Sequence, residues 1–179
     1  MTLLPRSRAL TRADLEAIPD DGHRYELIDG ALIVTPAPSQ RHQTMVGELY
    51  VLLHRACPPD LKVLLAPFDV ALADDTVVQP DLLVARRSDL TERDLPAPPL
   101  LAVEVLSPST RHIDLSLKRA RYEEAGCRSY WVLDPTVPSL VAWELRGGAY
   151  VEVARVTGDD EYTAQVPFAV TVRPDRLLD

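Results

Sequence analysis

VVQPDLLVA (residues 77–85) is the first of four strongly patterned segments in the middle of the chain. Two more apolar segments, LLAVEVL (100–106) and YWVL (130–133), have the length and composition of buried strands. Between them, RHIDLSLKRARYEEAG (111–126) predicts a helix that ends at Gly126, a residue type common at left-handed helix caps. The predicted order of elements is therefore strand, strand, helix, strand.

Two of these predicted strands each contain one carboxylate, Asp81 and Glu104. Antiparallel pairing would place the start of the first strand beside the end of the second, and so bring both acids to one edge of the sheet. A divalent cation would relieve their mutual repulsion, and Mg²⁺ prefers one or two carboxylates together with water and a substrate phosphate. Taken separately, Asp81 could be a turn or cap residue, and Glu104 could belong to an ion pair.

The predicted helix adds a cation to this edge, Lys118. Of the 19 basic residues in the chain, only Lys62 and Lys118 are lysines. Asp114, Lys118 and Tyr122 follow one another at i, i+4 and i+8, so they share one helix face. An ammonium group there could orient an attacking water or stabilise charge developing on phosphorus. The alternative is an ordinary ion pair between Lys118 and Asp114 on a solvated face.

Patterning and turn residues predict the remaining elements. In chain order these are a loose arm (1–10), a short helix (11–18), a hairpin around Asp29-Gly30, a helix (39–56), a strand (62–73), a polar loop (86–99), a hairpin around Gly147-Gly148 and a last strand (168–172). This order favours one α/β or α+β domain over residues 1–179, in which helices pack on a mixed sheet.

Composition favours a globular cytoplasmic protein. The two cysteines, Cys57 and Cys127, form no disulfide framework, no apolar run approaches a membrane span of about 20 residues, and the N-terminus does not resemble a signal peptide. The net charge of −8 argues against a broad nucleic-acid-binding face, but bound divalent cations can reverse the local sign of a site. The chain contains no G-x-S-x-G, G-x-G-x-x-G or P-loop motif.

The Pro-Asp dipeptide, the strand with an interior Glu and the helix that follows resemble the PD-(D/E)xK phosphodiesterase superfamily. Further motifs are similar to the Uma-type restriction-endonuclease-like family: YELIDG (25–30), the helix with His42, QPDLLV (79–84), VEVLSPST (103–110), D-x-x-x-K-x-x-x-Y (114–122) and G-x-x-x-YWVLDP (126–135). This resemblance covers about residues 11–145. It implies a restriction-endonuclease-like mixed sheet flanked by helices, with N-terminal and C-terminal β-hairpins.

The resemblance also implies roles for individual residues. It makes Asp81 and Glu104 ligands for Mg²⁺ or Mn²⁺, with the Val105 carbonyl as a third ligand. The superfamily lysine follows the acid by two residues, where this chain has Leu106, so Lys118 would be the relocated lysine.

Three more residues are auxiliary candidates by the same resemblance: Glu26, His42 and Tyr122. Glu26 would be a supplementary acid near the metal. His42 would either position the substrate or cap and pack.

Three functions fit the sequence. The favoured one is a metal-dependent endonuclease acting on DNA through Asp81, Glu104 and Lys118, as a homodimer because a double-strand cut needs two active sites. The second is a catalytically inactive module of nuclease fold that dimerises through the aromatic-rich tail around Trp143 and Tyr150. The third is a metal-dependent hydrolase of a substrate other than nucleic acid.

Overall fold

The computed structural model describes residues 8–19 and 21–179, which form an α+β fold with two main sheets. The helices are α1 (Arg12–Glu16), α2 (Gln40–Ala56) and α3 (Arg119–Ala125), which continues a π-helical segment (Ile113–Lys118); 3₁₀ turns span Arg87–Asp89 and Pro174–Leu177. The strands are β1 (Arg24–Ile28), β2 (Ala31–Thr35), β3 (Leu61–Leu65), β4 (Asp69–Ala73), β5 (Thr76–Val78), β6 (Leu82–Arg86), β7 (Asp94–Leu95), β8 (Leu101–Val105), β9 (Ser129–Asp134), β10 (Ser139–Arg146), β11 (Ala149–Thr157), β12 (Tyr162–Ala164) and β13 (Val170–Val172). These elements confirm the predicted fold class.

The larger sheet has six strands in the order β11-β10-β9-β8-β6-β3. Strands β8 and β9 are parallel, and the other pairs are antiparallel. Because side chains alternate along a strand, Val103 and Val105 of β8 point to one face of the sheet and Glu104 points to the other. All residues of β8 are buried, since both faces of the sheet are covered.

Helix α2 covers one face of this sheet. Ser39 caps the helix by accepting a hydrogen bond from the backbone N–H of His42 at 3.3 Å. The buried residues Met45, Leu49 and Leu53 recur at helical spacing and form one core with alternate residues of the strands. The C-terminal strand β13 packs into the same core.

The opposite face of the six-stranded sheet carries the helix over 111–125 and the five-stranded sheet β2-β1-β5-β4-β7. Tyr122 and Tyr130 are fully buried there, with ring centroids 5.2 Å apart. Gly126 ends the helix with φ +87°, as predicted. Glu104 points to this same side, so the position of the helix decides what surrounds its carboxylate.

Two strands predicted as single elements each prove to be two. Residues 62–73 form β3 and β4, which belong to different sheets, and residues 77–85 form β5 and β6, which are likewise separated. A proline interrupts each run, Pro67 in the first and Pro80 in the second, and proline has no N–H to donate to a strand ladder. The chain therefore passes twice from one sheet to the other, and Asp81 lies at one of these crossings.

The ends of the chain also differ from expectation. Residues 1–7 of the predicted loose arm lie outside the described residues, but Leu10 is buried against Leu27 and its N–H donates to the Gly30 carbonyl at 2.9 Å. A Cβ on Gly30, which has φ +72°, would collide with Ala9, so the arm lies directly on the hairpin turn. At the other end, the last strand is β13, shorter than predicted and paired with β12, which the sequence analysis did not anticipate.

The polar loop predicted over 86–99 contains a 3₁₀ turn and the two-residue strand β7, which pairs in parallel with β4. Both hairpins predicted from glycine-containing turns are confirmed. No helix in the described ranges is long and apolar enough to cross a membrane.

The aromatic residues of the tail are not a free surface. Trp143 is buried, with the guanidinium of Arg119 at 5.2 Å from its ring centroid. The hydroxyl of Tyr150 donates to the backbone carbonyl of Cys127 at 3.0 Å. The surface on which the dimeric interaction module depended is therefore occupied by the protein's own side chains.

Candidate active site

The two acids singled out from the sequence meet at the junction of β6 and β8. These strands pair antiparallel with Leu82 opposite Val103, which places Asp81 one step before this pair and Glu104 one step after it. Asp81 is bound to the second strand directly, because the Val105 N–H donates to its Oδ2 at 2.8 Å. Both acids are buried. The antiparallel pairing that was predicted to bring them together is confirmed.

Lys118 reaches the same place from the helix. Its Nζ lies 3.2 Å from Glu104 Oε1, 2.8 Å from Glu26 Oε1 and 3.6 Å from Asp114 Oδ1. Both helix residues of this group are buried, so the interpretation of Lys118 and Asp114 as an ion pair on a solvated face was wrong. The face is covered because the helix packs on the sheet with this side inward.

The helix is wound as a π-helix over Ile113–Lys118, where Asp114 and Lys118 both lie. Two hydroxyl groups bind backbone carbonyls there: Tyr130 donates to the Asp114 carbonyl at 2.8 Å, and Ser116 donates to the His112 carbonyl. Single π-helical turns inside α-helices are frequent at functional sites. This local winding was not predictable from the spacing of apolar residues.

Glu26 comes from β1, in the other sheet. The Gln79 N–H donates to its Oε1 at 2.7 Å, and the Thr35 hydroxyl donates to its Oε2 at 3.4 Å. Gln79 precedes Pro80 at the crossing between the sheets, so its N–H is free of any strand ladder and can serve a side chain. This contact joins the crossing segment to the acid that lies closest to Lys118.

The group contains more negative than positive charge. Three buried carboxylates, those of Glu26, Glu104 and Asp114, contact the ammonium of Lys118, and a fourth buried carboxylate, that of Asp81, lines the same cleft. Burial, followed by the charges of the other acids, raises the pKa of Glu104 well above its usual range although Lys118 lowers it. Burial also raises the pKa of Asp114.

The ammonium responds in the opposite sense. Burial by itself lowers the pKa of Lys118, but the charges of Glu104, Glu26 and Asp114 outweigh burial, so the pKa is raised above its ordinary value. The three neighbouring acids therefore favour the protonated form of Lys118.

His42 approaches from the first turn of α2. Its Nε2 lies 3.2 Å from Asp81 Oδ2, and its Nδ1 is buried without a hydrogen-bond partner in the described part of the chain. Asp81 is thus held on both sides, by the backbone of β8 and by the imidazole ring. This contact with Asp81 was not anticipated from the sequence, where His42 was considered for positioning the substrate or for capping and packing.

These side chains lie at a cleft of about 320 Å³. Its lining includes the start of α2, the hydroxyl-rich loop from Ser107 to Thr110, and the cations Arg24 and Arg41. The Ser107 hydroxyl accepts a hydrogen bond from the Thr110 N–H at 3.3 Å, so the loop folds into a compact turn. The cleft therefore combines buried acids with rim groups able to bind an anion.

The donor set fits a hard divalent cation with few protein ligands. Among the residues that the structure describes, no group of three or more His, Cys, Asp and Glu side chains is arranged to enclose a metal ion. Asp81 and Glu104 with the adjacent Val105 carbonyl nevertheless supply oxygen donors, and Mg²⁺ is commonly bound by one or two carboxylates plus water. The surplus of buried negative charge is the feature that a cation would offset.

The structure brings most of the candidate residues together and separates one. Six line the cleft: Glu26, His42, Asp81, Glu104, Val105 and Lys118. Tyr122 does not line it; its ring is fully buried behind the site, and its hydroxyl has no partner within residues 8–19 and 21–179. Leu106 is buried, and the Lys118 ammonium lies 3.2 Å from Glu104 Oε1.

Sequence analysis missed two further members of this group, Asp114 and Gln79. Asp114 was recognised only as a partner of Lys118, although the D-x-x-x-K spacing was a signal that both belong to one cluster. Gln79 acts through its backbone N–H, which no residue pattern reveals.

Comparisons with known proteins bear on the fold and the family of this chain. A solved structure described as a putative nuclease belonging to DUF820 from Anabaena variabilis has a TM-score of 0.75 over 94% of this chain and 97% of that chain, at 18% sequence identity, a likeness that establishes the fold. A comparison with curated proteins gives no match. The family model Uma2, described as "Putative restriction endonuclease", matches residues 12–173. Because this match spans most of the chain, the protein belongs to the Uma2 family of restriction-endonuclease-like proteins.

Proposed function

We propose that this protein is a divalent-metal-dependent endonuclease that hydrolyses phosphodiester bonds in DNA. The observation that carries the proposal is the meeting of Asp81 and Glu104 on neighbouring antiparallel strands, in a cleft, with the Lys118 ammonium 3.2 Å from Glu104. If these groups had only a structural role, apolar side chains would fill the same space without the cost of removing charged groups from water. Family membership supports a nuclease in general terms.

Asp81, Glu104 and the Val105 carbonyl would hold the ion, which is Mg²⁺ or Mn²⁺ in this proposal. When bound, such an ion polarises the phosphate and lowers the pKa of a bound water. The chain's own groups do the rest. The Val105 N–H and His42 hold Asp81 in one orientation, since both contact its Oδ2.

Lys118 has two roles in this proposal. Its positive charge favours the ionised form of Glu104, which must be a carboxylate to bind a cation. Placed beside the scissile phosphate, the same charge would stabilise the negative charge that develops on the phosphate oxygens. In the metal-free protein, the charges of Glu104, Glu26 and Asp114 favour its protonated form.

One of the two alternatives loses support. The inactive-module interpretation rested on Leu106 and on an aromatic tail, but Lys118 supplies a cation at Glu104 and Trp143 is buried. A homodimer and a cytoplasmic location remain part of the proposal.

The test is nicking of supercoiled plasmid in Mg²⁺ or Mn²⁺ by the wild type, Glu104→Gln and Glu48→Gln. Glu48 is an exposed acid on α2 and gives a matched control. We expect the wild type and the Glu48 variant to nick the plasmid, and the Glu104 variant to lose activity by at least about a hundredfold. Thermal melting in the same buffers checks folding. Mg²⁺ should raise the melting temperature of the wild type and leave that of the Glu104 variant unchanged. Equal nicking by all three proteins would refute the proposal.

A further inference from the structure

The arginines near the cleft differ from most others in the chain. Most described arginines form an ion pair with a carboxylate, as Arg12 does with Glu16 at 2.9 Å. Arg24, Arg41 and Arg93 have no carboxylate within 4.0 Å in the described ranges. Four other described arginines also lack a carboxylate partner but do not line the cleft or the groove beside it: Arg55, Arg87, Arg119 and Arg128. In a chain with net charge −8, the three arginines at this site place positive charge where an external anion could bind.

Two of these arginines define a groove that adjoins the cleft. The groove has a volume of about 520 Å³, and Arg24 and Gln79 line both it and the cleft. Arg93 lines the groove and also a second recess, which has a volume of about 400 Å³. The groove is therefore a continuation of the site rather than a separate pocket.

The carboxylates of this groove already have partners. Asp69 accepts a hydrogen bond from Gln79 Nε2 at 2.7 Å, and Glu16 is paired with Arg12. Arg24 donates a hydrogen bond from its Nε to Gln79 Oε1 at 3.4 Å. Both of these acids are thus bound within the protein, while the guanidinium groups of Arg24 and Arg93 have no carboxylate partner in residues 8–19 and 21–179.

The groove also presents aromatic rings. His23 and Tyr25 line it, with ring centroids 6.1 Å apart, and His23 is exposed. The Tyr25 hydroxyl donates to Asp21 at 2.7 Å, which fixes the orientation of the ring. Arginines combined with exposed aromatic rings in one groove are the pattern by which proteins bind unpaired nucleic-acid strands, through phosphate contacts and base stacking.

We propose that this groove holds an unpaired polynucleotide segment continuous with the phosphate in the cleft. Arg24 would bind the backbone at the junction and Arg93 would bind it farther along, because guanidinium groups match the geometry of phosphate oxygens. Tyr25 and His23 would stack on a base. This proposal rests on the proposed nuclease function, and it specifies that the substrate has a single-stranded stretch beside the scissile bond.

Binding is tested with a short fluorescein-labelled single-stranded DNA and with the same strand in a duplex, by anisotropy. All proteins carry Glu104→Gln, so that the probe stays intact. We expect Arg93→Ala to weaken binding of the single strand about tenfold and to lower the salt dependence by about one phosphate contact. Arg128→Ala removes an exposed arginine with no carboxylate partner in the described chain and away from the groove, and should bind as the parent does.

Two further variants separate charge from stacking. Arg93→Lys should recover most of the salt dependence, since it keeps the charge. Tyr25→Phe should keep the affinity and Tyr25→Leu should lower it, because only the first retains a ring. Tighter binding of the duplex than of the single strand, or equal affinities for the Arg93→Ala and Arg128→Ala proteins, would overturn the proposal.

The outcome is independent of catalysis. If wild-type protein fails to nick plasmid while Arg93 still determines strand binding, the nuclease proposal fails and the groove stands. If the wild type nicks plasmid while binding is insensitive to Arg93 and Tyr25, the nuclease proposal stands and the groove fails.

Discussion

Replacing Lys118 by Met should destabilise the metal-free protein more than any exposed charge change would. The Lys118 ammonium lies 2.8–3.6 Å from three buried carboxylates, those of Glu26, Glu104 and Asp114. Met is similar in length and apolar, so the variant removes the charge with little change in volume. After the change, these three acids have no other cation at ion-pair distance within the part of the chain that the structure describes.

The expected loss of stability follows from the buried carboxylates that remain without a cation. Removing one partner of a buried ion pair typically costs about 3–5 kcal/mol, because the remaining charge stays buried and unpaired. A domain of this kind has a total free energy of unfolding of about 5–15 kcal/mol. For a chain of this size, the loss corresponds to a fall in melting temperature of roughly 6–20 °C.

The assay is urea unfolding at neutral pH in EDTA, followed by tryptophan fluorescence. Lys62→Met is the matched control, since Lys62 is the other lysine and is exposed on β3; it should change stability by less than about 0.5 kcal/mol. The free energy of unfolding of the double variant Glu26→Gln/Lys118→Met should be closer to the wild-type value than that of Lys118→Met, because the double variant also lacks one unpaired buried carboxylate. Equal stability of the Lys118 and Lys62 variants would refute the electrostatic description of the site.

Two predictions follow from the same geometry. Burial and neighbouring acids raise the folded-state pKa of Glu104, so the stability that its protonated form contributes is complete below the unfolded value of 4.5 and is lost as the pH rises through the folded value. In EDTA, the Glu104→Gln protein should therefore become more stable than the wild type as the pH rises from about 4 to 8, and parallel melting curves would contradict this. For the proposed homodimer, sedimentation velocity should give about twice the chain mass of 19.9 kDa, and a monomer at all concentrations would exclude it.

The strands and helices that carry the site could be predicted locally. Glu104 stands out because it interrupts a continuous apolar strand, and Gly126 marks the end of the helix by its residue type. The two divided strands could not be predicted from composition, since both halves of 77–85 are apolar and buried. Only the position of Pro80 indicated the break, and which sheet each half joins depends on distant partners.

The environment of Lys118 illustrates the same limit. Its i+4 spacing from Asp114 is compatible with a surface ion pair and with a buried cluster, because both place the two residues on one helix face. Packing of that face on the sheet selects the buried cluster, and it adds Glu26 from a hairpin more than 90 residues earlier in the chain. The same packing explains why Tyr122, on the same face one turn later, contacts Tyr130 rather than the cleft.

The sequence by itself determined the fold class, the turns of the two hairpins and the identity of the two acids, since these depend on side-chain pattern and backbone preference over a few residues. Tertiary structure alone decided which groups contact each acid. Asp81 is bound by Val105 and His42, and Glu104 shares Lys118 with Glu26 and Asp114. Charges act through space, so the balance of four carboxylates against one ammonium exists only after two sheets and two helices have packed together.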